Sequence, residues 1–182
     1  MAVSIYSELT PNPSTLKFVI DKQIVDNPLD IATLDEAKEK SALATELFAI
    51  TDVSGVYIGR NFVTVAKSSG NQWQEYEDTI ITCLKDFISE GKDVIVKGAN
   101  SASTADYTEV EKKIIKVIEE EIRPAVAMDG GDIIFKAYED GIVYLQMLGA
   151  CAGCPSSTAT LKMGVEMRLK EVVPEIDEVV QV

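Results

Sequence analysis

The stretch DGGDIIFKAYEDGIVYLQMLGACAGCPSS, Asp129 to Ser157, decides how this chain folds. Asp129-Gly-Gly-Asp132 punctuates the chain, and residues 133–138 and 142–148 after it read as two strands. Between them stands Glu139-Asp140-Gly141. A three-residue loop with Gly141 left-handed places Ile133, Phe135 and Ala137 on one face with Met147, Leu145 and Val143. Working outward, a helix is expected from about Ser156 to Val172, and residues 176–182 return as a third strand, parallel to the second through a crossover. Upstream, Thr108 and Glu111 form a capping-box pattern, and Val110, Ile114, Val117 and Ile118 line one side of a helix. That helix should weaken near Pro124, whose ring and missing N–H interrupt the ladder. The order is α-β-β-α-β.

Further out, Gly98-Ala-Asn-Ser-Ala-Ser-Thr-Ala-Asp106 is small and polar without periodicity, as in a flexible linker. Residues 1–90 then form a first domain, 91–107 the linker and 108–182 a second domain. In the first, residues 5–9 and 16–20 are expected strands on either side of Thr10-Pro11-Asn12-Pro13. A helix capped by Thr33 and Glu36 runs through Leu43, Leu47 and Ile50. Strands at 53–58 and 62–66 meet at Gly59-Arg60-Asn61, and a helix over 73–89 carries Ile80, Leu84, Phe87 and Ile88 on one face. Both domains are α+β, the first an α+β sandwich.

Composition excludes several functions. With 30 acidic against 17 basic residues among 182, the formal charge is −13, and each half carries twice or nearly twice as many acids as bases. Such a field repels phosphate backbones and anionic lipid, so no nucleic-acid or membrane partner is expected. The chain has no histidine, which removes Ser-His-Asp and Cys-His catalysis, HExxH zinc sites and Rieske clusters. Three cysteines cannot make a disulfide framework, so a reducing compartment is expected. The first residues carry neither a signal peptide nor a transit-peptide pattern, and no apolar run is long enough for a membrane helix. The expected location is cytoplasmic.

The chemistry lies in Gly149-Ala-Cys-Ala-Gly-Cys-Pro-Ser-Ser157, at the end of a strand and the start of a helix. Cys151 and Cys154 can converge on one metal centre. The glycines let backbone wrap around a bulky inorganic group, and the positive helix N-terminus favours thiolate. A thiolate-only site selects zinc, copper(I) or an iron-sulfur cluster, and a tetrahedral zinc or cubane site usually takes four protein ligands. One chain brings two in this loop. Cys83, on an apolar helix face, suits a small buried hydrophobe, so a second copy must supply the rest and a homodimer bridged by one centre is expected. A shared structural zinc and a thiol-disulfide oxidoreductase remain alternatives, although a redox pair usually has proline between its cysteines. Asp129 and Asp132 suit a turn, with Asp132 fixing backbone. Arg123, Lys136 and Lys162 suit solvated surface.

Ile122-Arg-Pro-Ala-Val-Ala-Met-Asp-Gly-Gly-Asp132, the Gly149–Ser157 loop and Thr160-Leu-Lys162 together resemble the C-terminal domain of NifU-type iron-sulfur scaffold proteins. Thr10-Pro-Asn-Pro-Ser-Thr-Leu-Lys-Phe18 and Gly55-Val-Tyr-Ile-Gly-Arg-Asn-Phe-Val-Thr64 resemble the amino-terminal domain of two-domain Nfu proteins. The resemblance implies a non-enzymatic scaffold or carrier that binds one 4Fe-4S cluster per homodimer through Cys151 and Cys154. It also implies an upstream cluster donor and apo iron-sulfur client proteins that receive the cluster.

Overall fold

A computed structural model describes residues 3–68, 73–96, 107–152 and 155–182, the side chains of 155–161 excepted. The chain divides into two compact units, Met1–Ser101 and Ala102–Val182. The linker-like stretch 98–106 lies outside the described residues.

In the first unit, β1 (Ile5–Leu9), β2 (Thr15–Ile20), β3 (Leu29–Ile31), β4 (Val53–Ile58) and β5 (Phe62–Lys67) form an antiparallel sheet in the order β1-β2-β5-β4-β3. Phe18 faces Val63, and Val63 faces Ile58 across the ladder. The two-residue period therefore puts Leu16, Phe18, Ile20, Val63, Val65, Val56 and Ile58 on one face, each 2% exposed or less. Helices α1 (Leu34–Lys40), α2 (Ala42–Phe48) and α3 (Gln74–Ser89) complete that core with Ala37, Leu43, Leu47, Ile80, Leu84 and Phe87.

Three features of this unit differ from expectation. The first helix is broken at Ser41, which is extended (φ −149°, ψ 119°), ends α1 and caps α2. Its buried hydroxyl accepts from the Ala44 N–H and donates to the Val94 carbonyl at 2.7 Å. A serine that can bond locally competes with the helical ladder, and here it wins. Ile50 consequently falls in the turn after α2. Residues 91–96, expected as linker, are tied to this unit: Lys92 pairs with Glu46 and Glu90, Ile95 bridges to Ser41, and the Val96 N–H donates to Lys40. Strand β3, with one buried residue, is too short to show periodicity.

The second unit opens on α4 (Glu109–Val117), with the Thr108–Glu111 capping box in place. The helix does not end near Pro124. One π-helical turn, Ile118–Ile122, carries it into α5 (Arg123–Met128), with the Arg123 N–H donating to the Ile118 carbonyl. The wider turn accommodates a ring that regular α-helix would press against the carbonyl four residues back. Strands β6 (Gly131–Glu139), β7 (Ile142–Gly149) and β8 (Glu178–Gln181) lie in that order, β6 antiparallel and β8 parallel to β7, with α6 (Pro155–Val172) between β7 and β8 in the chain.

The hairpin loop has two residues, not three. Glu139 pairs with Ile142, and Asp140 (φ 49°) and Gly141 (φ 83°) are both left-handed, the conformation of a tight primed turn. A bulge between Phe135 and Ala137 absorbs the extra residue. Ile133 and Phe135 therefore still face Met147 and Leu145, while Tyr138 takes the place opposite Val143 expected for Ala137.

Candidate functional site

Strand β7 ends at Gly149, which pairs with Gly131 at the start of β6 and turns the chain out of the sheet at φ 62°. Beyond it the loop is stitched to the segment before β6. The Ala150 N–H donates to the Gly130 carbonyl at 3.1 Å, and the Ala152 N–H to the Gly149 carbonyl at 3.1 Å. Gly130 holds its own left-handed turn, φ 77°.

Cys151 lies at the base of this loop, 4% exposed and part of the second unit's apolar core. Gly131 makes room for it. A Cβ on Gly131 would overlap the Cys151 sulfur and stand 2.9 Å from both the Cys151 Cβ and the Leu148 carbonyl oxygen. Cys154 lies outside the described residues, so the Cys151–Cys154 pairing stays an expectation. The backbone of α6 begins at Pro155, where a residue without an N–H costs no ladder bond, and a helix N-terminus beside the loop favours anionic sulfur.

Cys83 sits elsewhere. It is half-buried on α3, packed against the first unit's core. Burial pushes its thiol up to about 11, with Glu46 and Asp86 adding to the effect. The thiolate that binds metal is thereby disfavoured. At pH 8, iodoacetamide should label Cys83 about 100-fold more slowly than an unshifted thiol, as followed by peptide mass spectrometry. Because the folded thiol holds its proton longer than the unfolded one, this group's contribution to stability should fall as pH rises from 9.0 towards about 11.

Three residues at the site were not candidates on sequence. Gly131 is one. The other two are Asp132, 3% exposed, and Arg123, which meet as a fork: Arg123 Nε donates to Oδ1 at 2.7 Å and Nη2 to Oδ2 at 2.6 Å. Asp132 also accepts from the Ile133 N–H at 2.8 Å, the backbone-fixing role expected of it. The Asp132 hydrogen bonds hold the Arg123 guanidinium above its ordinary range. Arg123 is thus partly buried structure, not solvated surface. Lys162, 3.4 Å from Glu178, is likewise paired. A glycine pair opening a strand is a sequence signal of close approach and could have pointed to Gly131. No periodic signal marks Arg123.

Residues 114–180 match the family described as NifU-like domain, and residues 5–91 match scaffold protein Nfu/NifU N terminal. Over 98% of its length the chain is 38% identical to the NFU1 iron-sulfur cluster scaffold homolog, mitochondrial, of Drosophila erecta, and 37% identical to the human protein of the same name. It spans 64% of the fly protein and 71% of the human one. A solution NMR structure of a NifU-like protein from Saccharomyces cerevisiae aligns with 53% of the chain and 87% of its own length, at 28% identity and a TM-score of 0.46.

These relatives correct one expectation. They are named mitochondrial, which overturns the cytoplasmic location expected from the first residues and from the lack of a membrane-length apolar run. Address signals are segments separate from the folded domains, so the composition of the domains does not report compartment. With both halves matched in order and more than a third of residues identical, the chain belongs to the Nfu family of NifU-like iron-sulfur cluster scaffold proteins.

Proposed function

We propose that this chain is a non-enzymatic carrier whose cargo is a 4Fe-4S cluster, held by Cys151 and Cys154 from each of two copies. A cluster of this type takes four protein thiolates, and the loop of one chain brings two. Cys83 is a poor third ligand, since it sits in the other unit with its thiol held protonated. The observation that carries the reading is the seat of Cys151: a cysteine at a strand end, walled by a glycine whose missing side chain leaves space for its sulfur. Four ligands divided between two copies at a loop are easier to surrender than a cage closed by one chain. Cargo then arrives from an upstream donor and leaves for apo-proteins by thiolate exchange, the acceptor's cysteines replacing Cys151 and Cys154 one at a time. Residues 1–90 carry client or donor recognition.

Anaerobic reconstitution with ferrous iron and sulfide tests this. The expected product is a brown dimer with about four irons and four sulfides per two chains. Cys154→Ala should remove nearly all of both. Equal iron and sulfide in wild type and Cys154→Ala would refute the ligand assignment, and zinc in anaerobically purified protein would replace the cluster with a structural metal. A colourless monomer with a measurable dithiol potential would favour the oxidoreductase.

A further inference from the structure

Cys151 is not placed by its own loop alone. Asp132 lies one residue beyond Gly131, which touches Cys151, and two beyond Gly130, which accepts the Ala150 N–H. Its side chain is 5% exposed, and both its oxygens are held by Arg123. The remaining terminal nitrogen of Arg123, Nη1, donates to both oxygens of Glu119 at 2.7 and 2.8 Å. The guanidinium is therefore fixed on two sides, in a geometry that lysine cannot reproduce.

The π-helical turn matters here. Each helical residue turns about 100°, so the extra residue in Ile118–Ile122 rotates everything after it by about that angle relative to an unbroken α-helix. Arg123 is the first residue after the turn, and its side chain reaches β6.

We propose that Arg123 and Asp132 are a positioning pair for the cysteine loop, their fork pinning α5 to the start of β6 and so setting, through Gly130 and Gly131, where Cys151 presents its sulfur. The pair has a second consequence. Asp132 alone would add a buried negative charge to the segment that touches Cys151, and Arg123, shared with the more exposed Glu119, offsets it in part. The inference rests on the reading of Cys151 as a cluster ligand.

The full-length chain is compared with R123K, which keeps the charge and loses the fork, and with R123M/D132L, which removes both members of the fork and leaves only the exposed Glu119 without its partner. Three quantities are read: the urea midpoint of the apo protein, the alkylation rate of Cys151 in the apo protein, and the rate at which a ferrous chelator strips the reconstituted cluster. In R123M/D132L, Cys151 should react several-fold faster and cluster affinity should fall about 10- to 100-fold, the usual cost of losing a partner that orients a metal ligand. R123K should move both quantities in the same direction by less. Wild-type alkylation and stripping rates in folded R123M/D132L would overturn the proposal. If that variant does not fold, wild-type rates in R123K would overturn it. If the wild-type chain takes up no iron and sulfide, the carrier reading falls, and the alkylation rates of the apo proteins still decide whether the pair positions Cys151.

Discussion

A Gly131→Ala chain should lose most of its cluster and about 1–3 kcal/mol of stability, the usual cost of forcing atoms into a packed interior. The added methyl has no escape. Two of its three near neighbours are the Cβ of Cys151 and the backbone oxygen of Leu148, each 2.9 Å away, and the third is the Cys151 sulfur itself. Backbone cannot swing aside as a side-chain tip can, so relief must come from displacing the cysteine. The loss of iron and sulfide should therefore exceed what lower stability alone would produce. Gly164→Ala is the matched control. Gly164 lies within α6, exposed, and a methyl added there would meet nothing within 4 Å. That methyl should stabilise by about 0.5–1 kcal/mol through helix propensity and leave cluster content unchanged. Urea unfolding and paired iron and sulfide assays read both variants, and equal cluster content in the two would show that Gly131 does not shape the cysteine's seat.

Phe18→Ala should destabilise the first unit by about 3–5 kcal/mol, the usual cost of truncating a fully buried phenylalanine. Phe18 is 0% exposed on the buried face of the sheet, on β2 and facing Val63 on the central strand β5. Truncating it leaves a cavity that rigid strands on both sides cannot close. The cysteine loop belongs to the other unit, so iron and sulfide per chain should stay at the wild-type value in this variant at low temperature. A cluster content that falls with the stability of the first unit would mean that this unit contributes a ligand, with Cys83 the first suspect.

Much of the fold could be read residue by residue. The ends of β1 and β4 follow from the turn residues that bound them, Thr10-Pro-Asn-Pro13 and Gly59-Arg-Asn61, and the Thr33 and Thr108 caps come from hydroxyl-to-backbone spacing. Where a local rule failed, another contact had outweighed it. Ser41 breaks a helix because its hydroxyl finds Val94, far along the chain. Pro124 does not break one because a wider turn accommodates it. The hairpin keeps two of its three expected facing pairs with the shorter loop because a bulge at Lys136 restores the phase.

The chemistry of the site was likewise local. An absence of histidine and two cysteines three positions apart limit the side-chain ligands this loop could offer a soft metal to sulfur whatever the fold, because ligand softness and number belong to residue types. Which residues shape that site was decided only in three dimensions. Asp129-Gly-Gly-Asp132 reads along the chain as a turn, yet β-pairing sets Gly131 against Gly149 and so against Cys151, while a π-helical turn aims Arg123 at Asp132. Periodicity reports which face of its own element a residue occupies. Close approach depends on where a distant element returns, and strand pairing and helix phase determine that together.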